Sequence, residues 1–274
     1  MSPILLFLFA LVAIAIPIVG MAYWKRHAGG KWKHFFVGAL IFIVFVYGLE
    51  SVMHRFCLTM DNPISRFLNG NIWAYALYGG FAAGIFEETG RLVAFKTLMR
   101  KASDKKDAIS YGLGHGGIEA ILVMGVSYLV YAVFMIIYNS NGVEGLSQLM
   151  GTEGAIALTP TLESLSPGIC CVALLERLCA ITFHICASVL VFVAARDSKR
   201  FWLYPLAILL HAALDIPAAF CQKGMLPIWA IEVYVALFVI IIAFATRKIA
   251  KTYQDFNSKE TDTFTEQTLS KSIE

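Results

Sequence analysis

The chain has 274 residues, of which 58% are hydrophobic and only 15% are charged. So few charged residues cannot cover the surface of a soluble protein of this length, so the composition predicts a membrane protein that lies in the lipid bilayer. The formal net charge of +3 comes from dispersed Lys and Arg residues rather than from a basic face with interleaved aromatic residues. Nucleic acid is therefore not an expected partner.

Seven apolar segments are long enough to cross a hydrocarbon core about 30 Å thick, which takes about 20 helical residues. They predict an all-α fold, a polytopic transmembrane helix bundle whose membrane domain covers residues 1–250. The longest segments are expected to tilt or to extend beyond the bilayer. In chain order, the predicted spans are 3–23, 35–53, 72–98, 108–138, 168–195, 201–221 and 225–246.

The positions of Lys and Arg predict the orientation, because cytoplasmic loops are enriched in these residues. Basic residues cluster after the first, third and fifth spans and after the last one, whereas the remaining connections hold only Arg55, Arg66 and Lys223. This pattern places the N-terminus outside and the C-terminus inside. The first segment lacks a preceding basic residue and a cleavage pattern, so we expect a retained span rather than a signal peptide.

Two stretches are not expected to cross the membrane. Residues 139–167 contain several Asn, Gly and Pro residues and no Lys or Arg, which predicts a long outer loop. Residues 251–274 are rich in Ser, Thr, Lys and Glu and lack an apolar face, which predicts a disordered cytoplasmic tail. The six cysteines show no Cys-x-x-Cys and no spacing typical of a zinc site, so we interpret them as small apolar residues.

Ionisable residues inside the apolar segments indicate a functional site, because each costs at least ~2.5 kcal/mol in hydrocarbon. At ~1.5 Å per helical residue, Glu87, His115, His184 and His211 lie ~14 to 20 Å from the cytoplasmic ends of four different predicted spans. Four helices thus bring a titratable group to nearly the same depth. This coincidence favours a polar site inside the bundle over scattered structural residues.

Carboxylates spaced four residues from histidines support the same interpretation, because positions four apart share a helix face. A carboxylate in that position can orient an imidazole and fix its tautomer, so Glu119 and Asp215 are expected to support His115 and His211. Arg91 is expected to be the counter-ion of a buried carboxylate. The pairs with this spacing are Glu87 with Arg91, His115 with Glu119, and His211 with Asp215.

Four sequence motifs contain these residues: Glu87-Glu88-Thr89-Gly90-Arg91, Tyr111-Gly112-Leu113-Gly114-His115-Gly116-Gly117-Ile118-Glu119, the lone intramembrane His184, and His211-Ala212-Ala213-Leu214-Asp215. Together they resemble the YhfC family of intramembrane metalloproteases. That family is similar to the group of type II CAAX prenyl proteases and bacteriocin-processing proteins. The broader group has the pattern Glu-Glu-x-x-x-Arg, then Phe-x-x-x-His, then His-x-x-x-Asn or a small residue. The chain departs from this pattern at Arg91, which comes one residue early, at Tyr111 in place of Phe, and at Asp215 in place of Asn. The resemblance covers about residues 75–220.

The resemblance implies hydrolysis of a peptide bond in a membrane-associated protein or peptide at a bacterial plasma membrane. Glu87 would be the general base that activates water, with Glu88 as the alternative. The histidines would either help to hold a zinc ion or position the water and stabilise the oxyanion without a metal. The implied residues are, for catalysis, Glu87, Glu88, His115 and Arg91 and, for zinc, Glu87, His115, His184 and His211.

Two other functional classes stay open. A proton-coupled transporter would also bury histidines and carboxylates, but such carriers often have paired repeats, and the sequence shows no repeat. A non-catalytic scaffold, or a peptide-binding or immunity protein, would keep the fold without the reaction. For an enzyme, the depth of the site predicts that substrate reaches it laterally or from the inner side.

Overall fold

The computed structural model describes residues 1–271, with side chains described as far as Thr252. Within these residues the chain is helical and forms no strand, as the composition predicts. Wide π-helical turns at Ile43–Glu50, Arg55–Thr59 and Ile121–Val126 continue the neighbouring α-helices. The α-helices are α1 (Pro3–Ala28), α2 (Trp32–Phe42), α3 (Ser51–His54), α4 (Pro63–Gly70), α5 (Ile72–Lys96), α6 (Lys105–Ala120), α7 (Ser127–Ser164), α8 (Pro167–Arg196), α9 (Leu203–Gln222) and α10 (Ile228–Lys271).

Six helical stretches of the described chain are long and apolar enough to cross a membrane. They correspond to all the predicted spans except 72–98, which is α5. This helix carries Glu87, Glu88 and Arg91 and is less apolar than the others, although its 25 residues reach about 37 Å at the rise of an α-helix. The count of seven spans and the outside position of the N-terminus therefore stay predictions.

The predicted loop at 139–167 is wrong, because α7 continues through most of it. Two bends fold this part of α7 back on the bundle, at Gly142 and Gly151, where φ is 62° and 80°. Glycine adopts this left-handed region without a Cβ clash. Leu146 is fully buried in the same core cluster as Leu6 of α1. The Asn, Gly and Pro content predicted a loop, but the packed bundle offers a surface that holds the helical pieces on either side of the two bends.

The last part of the chain was predicted to be a cytoplasmic tail, residues 251–274. This segment lies outside the described residues, apart from the course of α10 as far as Lys271 and the side chains of residues 251 and 252. The division into a membrane domain of 1–250 and a tail therefore stays a prediction.

Helix α6 lies inside the bundle and packs against α1, α2 and α8, while α5 packs along α9. Glycines bring these helices together. A Cβ atom on Gly112 would lie 2.6 Å from Cα of Ile185 in α8, and one on Gly114 would overlap the carbonyl oxygen of Phe35 in α2. The glycines around His115 therefore serve close helix packing.

We expect Gly114→Ala to lower the free energy of unfolding by about 1–3 kcal/mol, because the added methyl group forces α2 and α6 apart. Thermal unfolding in detergent, followed by tryptophan fluorescence, measures the effect. Gly79→Ala is the matched control, since a Cβ atom there meets nothing within 4 Å. Alanine also favours the helix by roughly 0.5–1 kcal/mol, so this variant should be as stable as the parent or more so. Equal destabilisation by both substitutions would contradict the packing argument.

Candidate metal and catalytic centre

The structure brings together the four residues that the sequence places at equal depth. Glu87 of α5, His115 of α6, His184 of α8 and His211 of α9 meet inside the bundle, and none exposes more than 6% of its surface. Glu87 lies in the middle. Its Oε2 atom is 2.8 Å from Nε2 of His115 and 3.8 Å from Nδ1 of His184, and its Oε1 atom is 3.7 Å from Nε2 of His211.

Glycines allow the helices that carry these residues to approach. A Cβ atom on Gly84 would lie 2.7 Å from a carbonyl oxygen of α9, and one on Gly116 would lie 3.0 Å from the ring of His184. Because both positions lack a side chain, the imidazole rings come close. The ring centres of His115 and His184 are 4.9 Å apart, and those of His184 and His211 are 5.4 Å apart.

Glu88 and Arg91 form a fully buried ion pair beside this centre. The Nη1 atom of Arg91 donates to Oε2 of Glu88, and Oε1 of Glu88 lies 2.8 Å from Nδ1 of His211. The prediction that Arg91 is a counter-ion is confirmed. Its partner is Glu88, three residues earlier, rather than Glu87 at the predicted spacing of four, because the Glu87 side chain turns towards the histidines.

Glu119 supports a different histidine from the one that its spacing suggests. Its Oε2 atom lies 2.6 Å from Nε2 of His184, whereas His115, one turn before it, contacts Glu87. The other oxygen of Glu119 accepts a hydrogen bond from Arg177 at 2.7 Å. Two residues on one helix face pair with each other only when no closer partner approaches, and here α8 brings His184 to Glu119.

Asp215 lies at the edge of the centre, with 38% of its side chain exposed and its Oδ2 atom 3.4 Å from Nε2 of His211. It therefore contacts the nitrogen that faces Glu87, whereas the opposite nitrogen, Nδ1, is held by Glu88. The orienting role that the sequence suggested for Asp215 thus falls to Glu88 in the structure, because α5 brings that carboxylate closer to Nδ1.

Glu87, His184 and His211 form the donor group that suits a metal ion. Each offers one ligand atom, and these atoms all lie within 4.8 Å of one another. Two imidazoles and one carboxylate form one of the protein ligand sets of catalytic zinc sites. The opposite nitrogen of each imidazole meets a carboxylate, Glu119 for His184 and Glu88 for His211, as is common for metal-bound histidines. The residues present therefore fit a divalent metal.

Two residues of the predicted site stand apart from this donor group. His115 contacts Glu87 at 2.8 Å but does not belong to the set of three, so its predicted role as a metal ligand stays a prediction. Arg91 has its Nη2 atom 3.0 Å from Nδ1 of His184. The lone pair on Nδ1 of His184 cannot accept this hydrogen bond and bind a metal at the same time. Metal coordination through Nδ1 therefore requires the guanidinium group of Arg91 to move.

A cavity of about 310 Å³ reaches the centre at Asp215. It lies where α5 begins and α9 ends, since its lining includes both Tyr75 and Gln222. The predicted orientation places this end of the bundle outside, so the cavity runs opposite to the inner-side access that the depth of the site suggested, and that access stays a prediction. Glu50 and His54 also line it. This pair was not among the predicted site residues, although its spacing of four residues was the available signal.

Comparisons with known proteins identify the family of this chain. Residues 12–235 match the family described as YhfC intramembrane metalloprotease. The chain is 33% identical over 252 residues to the "Uncharacterized membrane protein YhfC" of Bacillus subtilis (strain 168), a match that covers 89% of this chain and 94% of that protein. No solved structure matches the chain significantly. The chain is therefore a membrane protein that belongs to the YhfC intramembrane metalloprotease family.

Proposed function

We propose that this protein is an intramembrane peptidase that hydrolyses a peptide bond in a membrane-associated protein or peptide. The observation that carries the proposal is the buried Glu87 carboxylate, surrounded by imidazoles from three other helices. Ionisable residues at this depth are costly and mark functional sites. A cavity is lined by Asp215, which lies 3.4 Å from His211, so open space comes close to the centre. The name of the family supports the same reaction.

Glu87, rather than Glu88, is the general base in this proposal. Both oxygens of Glu88 already have partners, Arg91 and His211, so neither is free to take a proton from water. Glu87 is anchored at one oxygen by His115 at 2.8 Å. Its other oxygen faces the space beside His211, where it can accept the proton of a water that attacks the scissile carbonyl. Glu88 and Arg91 are then positioning residues.

The histidine tautomers favour the metal-dependent version of this mechanism. Nε2 of His184 lies 2.6 Å from an oxygen of Glu119, and Nδ1 of His211 lies 2.8 Å from an oxygen of Glu88. An ionised carboxylate accepts hydrogen bonds and donates none, so these nitrogens are the ones that suit the proton. In a neutral imidazole the other nitrogen then carries the lone pair. Those nitrogens face Glu87, so these rings suit metal coordination better than donation to an oxyanion. We infer that Glu87, His184 and His211 would hold zinc, which when bound supplies a Lewis acid for water and carbonyl oxygens. In that version Glu87 is a ligand, and it is the general base only in the metal-free version, because its second oxygen is already held by His115.

Hydrolysis in water enriched in oxygen-18 tests the proposal. The purified protein is reconstituted in lipid vesicles with a library of synthetic single-span peptides, and fragments are identified by mass spectrometry. We expect fragments whose new carboxyl groups carry oxygen-18, and we expect a zinc chelator to slow their formation at least tenfold, by the scale of other metal-dependent centres. A library that yields no fragment would contradict the proposal and favour the non-catalytic scaffold.

Elemental analysis of the same preparations tests the metal. Near-stoichiometric zinc is expected in the parent protein and should be lost in His211→Ala, which removes a donor atom. His27→Ala is the matched control, because His27 is exposed near the end of α1 and should leave the zinc content unchanged. A metal-free parent protein that still releases labelled fragments would refute zinc and leave a mechanism that relies on Glu87 alone.

A further inference from the structure

We propose that the cavity beside Asp215 binds a cationic group of the substrate, a lysine or arginine side chain or a protonated amine. This inference rests on the proposed function in one respect, because the cation is taken to belong to the molecule that is cleaved. The pocket would then select substrates by charge next to the catalytic centre.

The lining of the cavity favours a cation. Glu50 and Asp215 contribute two carboxylates, and Tyr75 and Tyr78 contribute aromatic rings. The lining residues that the structure describes include no Lys or Arg. Carboxylates with low-dielectric walls concentrate a negative potential, which attracts cations. The volume, about 310 Å³, lies in the range of small-molecule pockets.

The buried carboxylate of Glu50 has one oxygen without a hydrogen-bond partner among the described residues. It exposes only 4% of its surface. Its Oε1 atom lies 3.2 Å from Nε2 of His54, but its Oε2 atom has no hydrogen-bond partner among the described residues. Buried carboxylate oxygens in proteins almost always have a partner. Oε2 itself is closed to water in this conformation, so a small rotation of the carboxylate would bring it to a cationic group in the cavity.

His54 is already fixed, so it does not fill this need. Its Nδ1 atom lies 2.8 Å from the hydroxyl oxygen of Tyr78, and its Nε2 atom faces Oε1 of Glu50. Both ring nitrogens are therefore engaged. The imidazole holds Glu50 in place and leaves the second oxygen of the carboxylate for a ligand.

The aromatic wall of the cavity already accepts an ammonium group. The Nζ atom of Lys223, which follows the lining residue Gln222, lies 4.3 Å from the ring centre of Tyr75. Cations within about 6 Å of an aromatic ring centre are attracted by its quadrupole. A substrate cation would replace Lys223 at this ring.

Asp215 connects the cavity with the catalytic centre. Its Oδ2 atom is 3.4 Å from Nε2 of His211, which belongs to the metal-donor group. A side chain held in the cavity therefore belongs to a residue close to the scissile bond. Gly79 lines the cavity as well, and a Cβ atom there would meet nothing within 4 Å. A larger side chain at this position can fill the cavity without a clash between helices.

Peptide binding tests the proposal without requiring cleavage. Two synthetic single-span peptides of Leu and Ala differ at one position near the outer end, which is lysine in one and glutamine in the other. Their affinities are measured by fluorescence anisotropy in the Glu87→Gln background, which prevents turnover. We expect the lysine peptide to bind at least tenfold more tightly. Adding Glu50→Gln or Gly79→Leu should reduce that preference to less than threefold.

Glu144→Gln is the matched control, because Glu144 is an exposed carboxylate of α7 that does not line the cavity. It should keep the tenfold preference. Equal affinities, including no detectable binding of either peptide, would overturn the proposal, and so would a preference that Glu50→Gln leaves intact. Thermal unfolding of each variant shows that it is folded.

The cation pocket and the peptidase can fail separately. A lysine preference in a protein that releases no labelled fragment from any peptide would refute the peptidase and support the pocket. Cleavage without any preference for lysine, unchanged by Glu50→Gln, would refute the pocket and support the peptidase.

Discussion

Glu87→Gln should lower the rate of peptide hydrolysis by about 10²- to 10⁴-fold while the protein stays folded. Glutamine has nearly the same shape as glutamate and can still accept the hydrogen bond from His115, which lies 2.8 Å away. It cannot take a proton from water, and it is a poorer ligand for a metal. The initial rate of fragment formation in vesicles measures the effect, and a melting curve in detergent monitors the fold.

Two further glutamate variants make this prediction specific. Glu144→Gln removes the same charge at an exposed position of α7 and should keep the rate within about twofold, because surface charges distant from a site contribute little. Glu88→Gln tests the neighbouring carboxylate. Because Glu88 is engaged by Arg91 and His211, its loss should affect positioning rather than proton transfer. A larger loss of rate per folded molecule in Glu88→Gln than in Glu87→Gln would contradict the assignment of the base.

Arg91→Gln should lower the free energy of unfolding by about 3–5 kcal/mol, because it leaves the Glu88 carboxylate buried without its cation. Neither side chain of this pair is exposed to solvent. The guanidinium group also contacts His184 at 3.0 Å, so its removal loosens α5 from α8. Thermal or denaturant unfolding in detergent, followed by tryptophan fluorescence, measures the loss.

A double substitution separates the lost charge pair from other damage. Glu88→Gln combined with Arg91→Gln removes both charges and should recover much of the stability that Arg91→Gln loses, because no unpaired charge remains in the bundle. Arg91→Lys keeps the charge but loses the planar guanidinium geometry, so an intermediate effect is expected. Arg91→Gln with a stability within 1 kcal/mol of the parent would show that Glu88 is not held as a buried ion pair.

The helical segments could be predicted from apolar runs because the bilayer leaves little choice. Backbone groups in hydrocarbon must bond within their own segment, so a run of about 20 apolar residues predicts a helix. All predicted spans correspond to helices, including α5 with its four charged residues. The same reasoning misread residues 139–167, where α7 bends at Gly142 and Gly151. Short helices of this kind are stabilised by the surface they pack on, which a local pattern does not contain.

The members of the site could also be predicted, since depth along a helix follows from its constant rise per residue. Counting residues from the charged ends of the spans was enough to group Glu87, His115, His184 and His211. The hydrogen-bond partners were less predictable. Glu119 reaches His184 across the bundle, although a spacing of four from His115 suggested a pair on one helix.

Composition and spacing thus established an all-helical membrane protein with a polar site and the residues that form it, because both depend on distances measured along single helices. The different partners of Glu87 and Glu88, the grouping of Glu87 with His184 and His211, and the cavity beside Glu50 depend on how the helices are rotated and how closely they approach. Those quantities are set by contacts between distant segments, such as Gly116 against His184. They became visible only in the packed bundle.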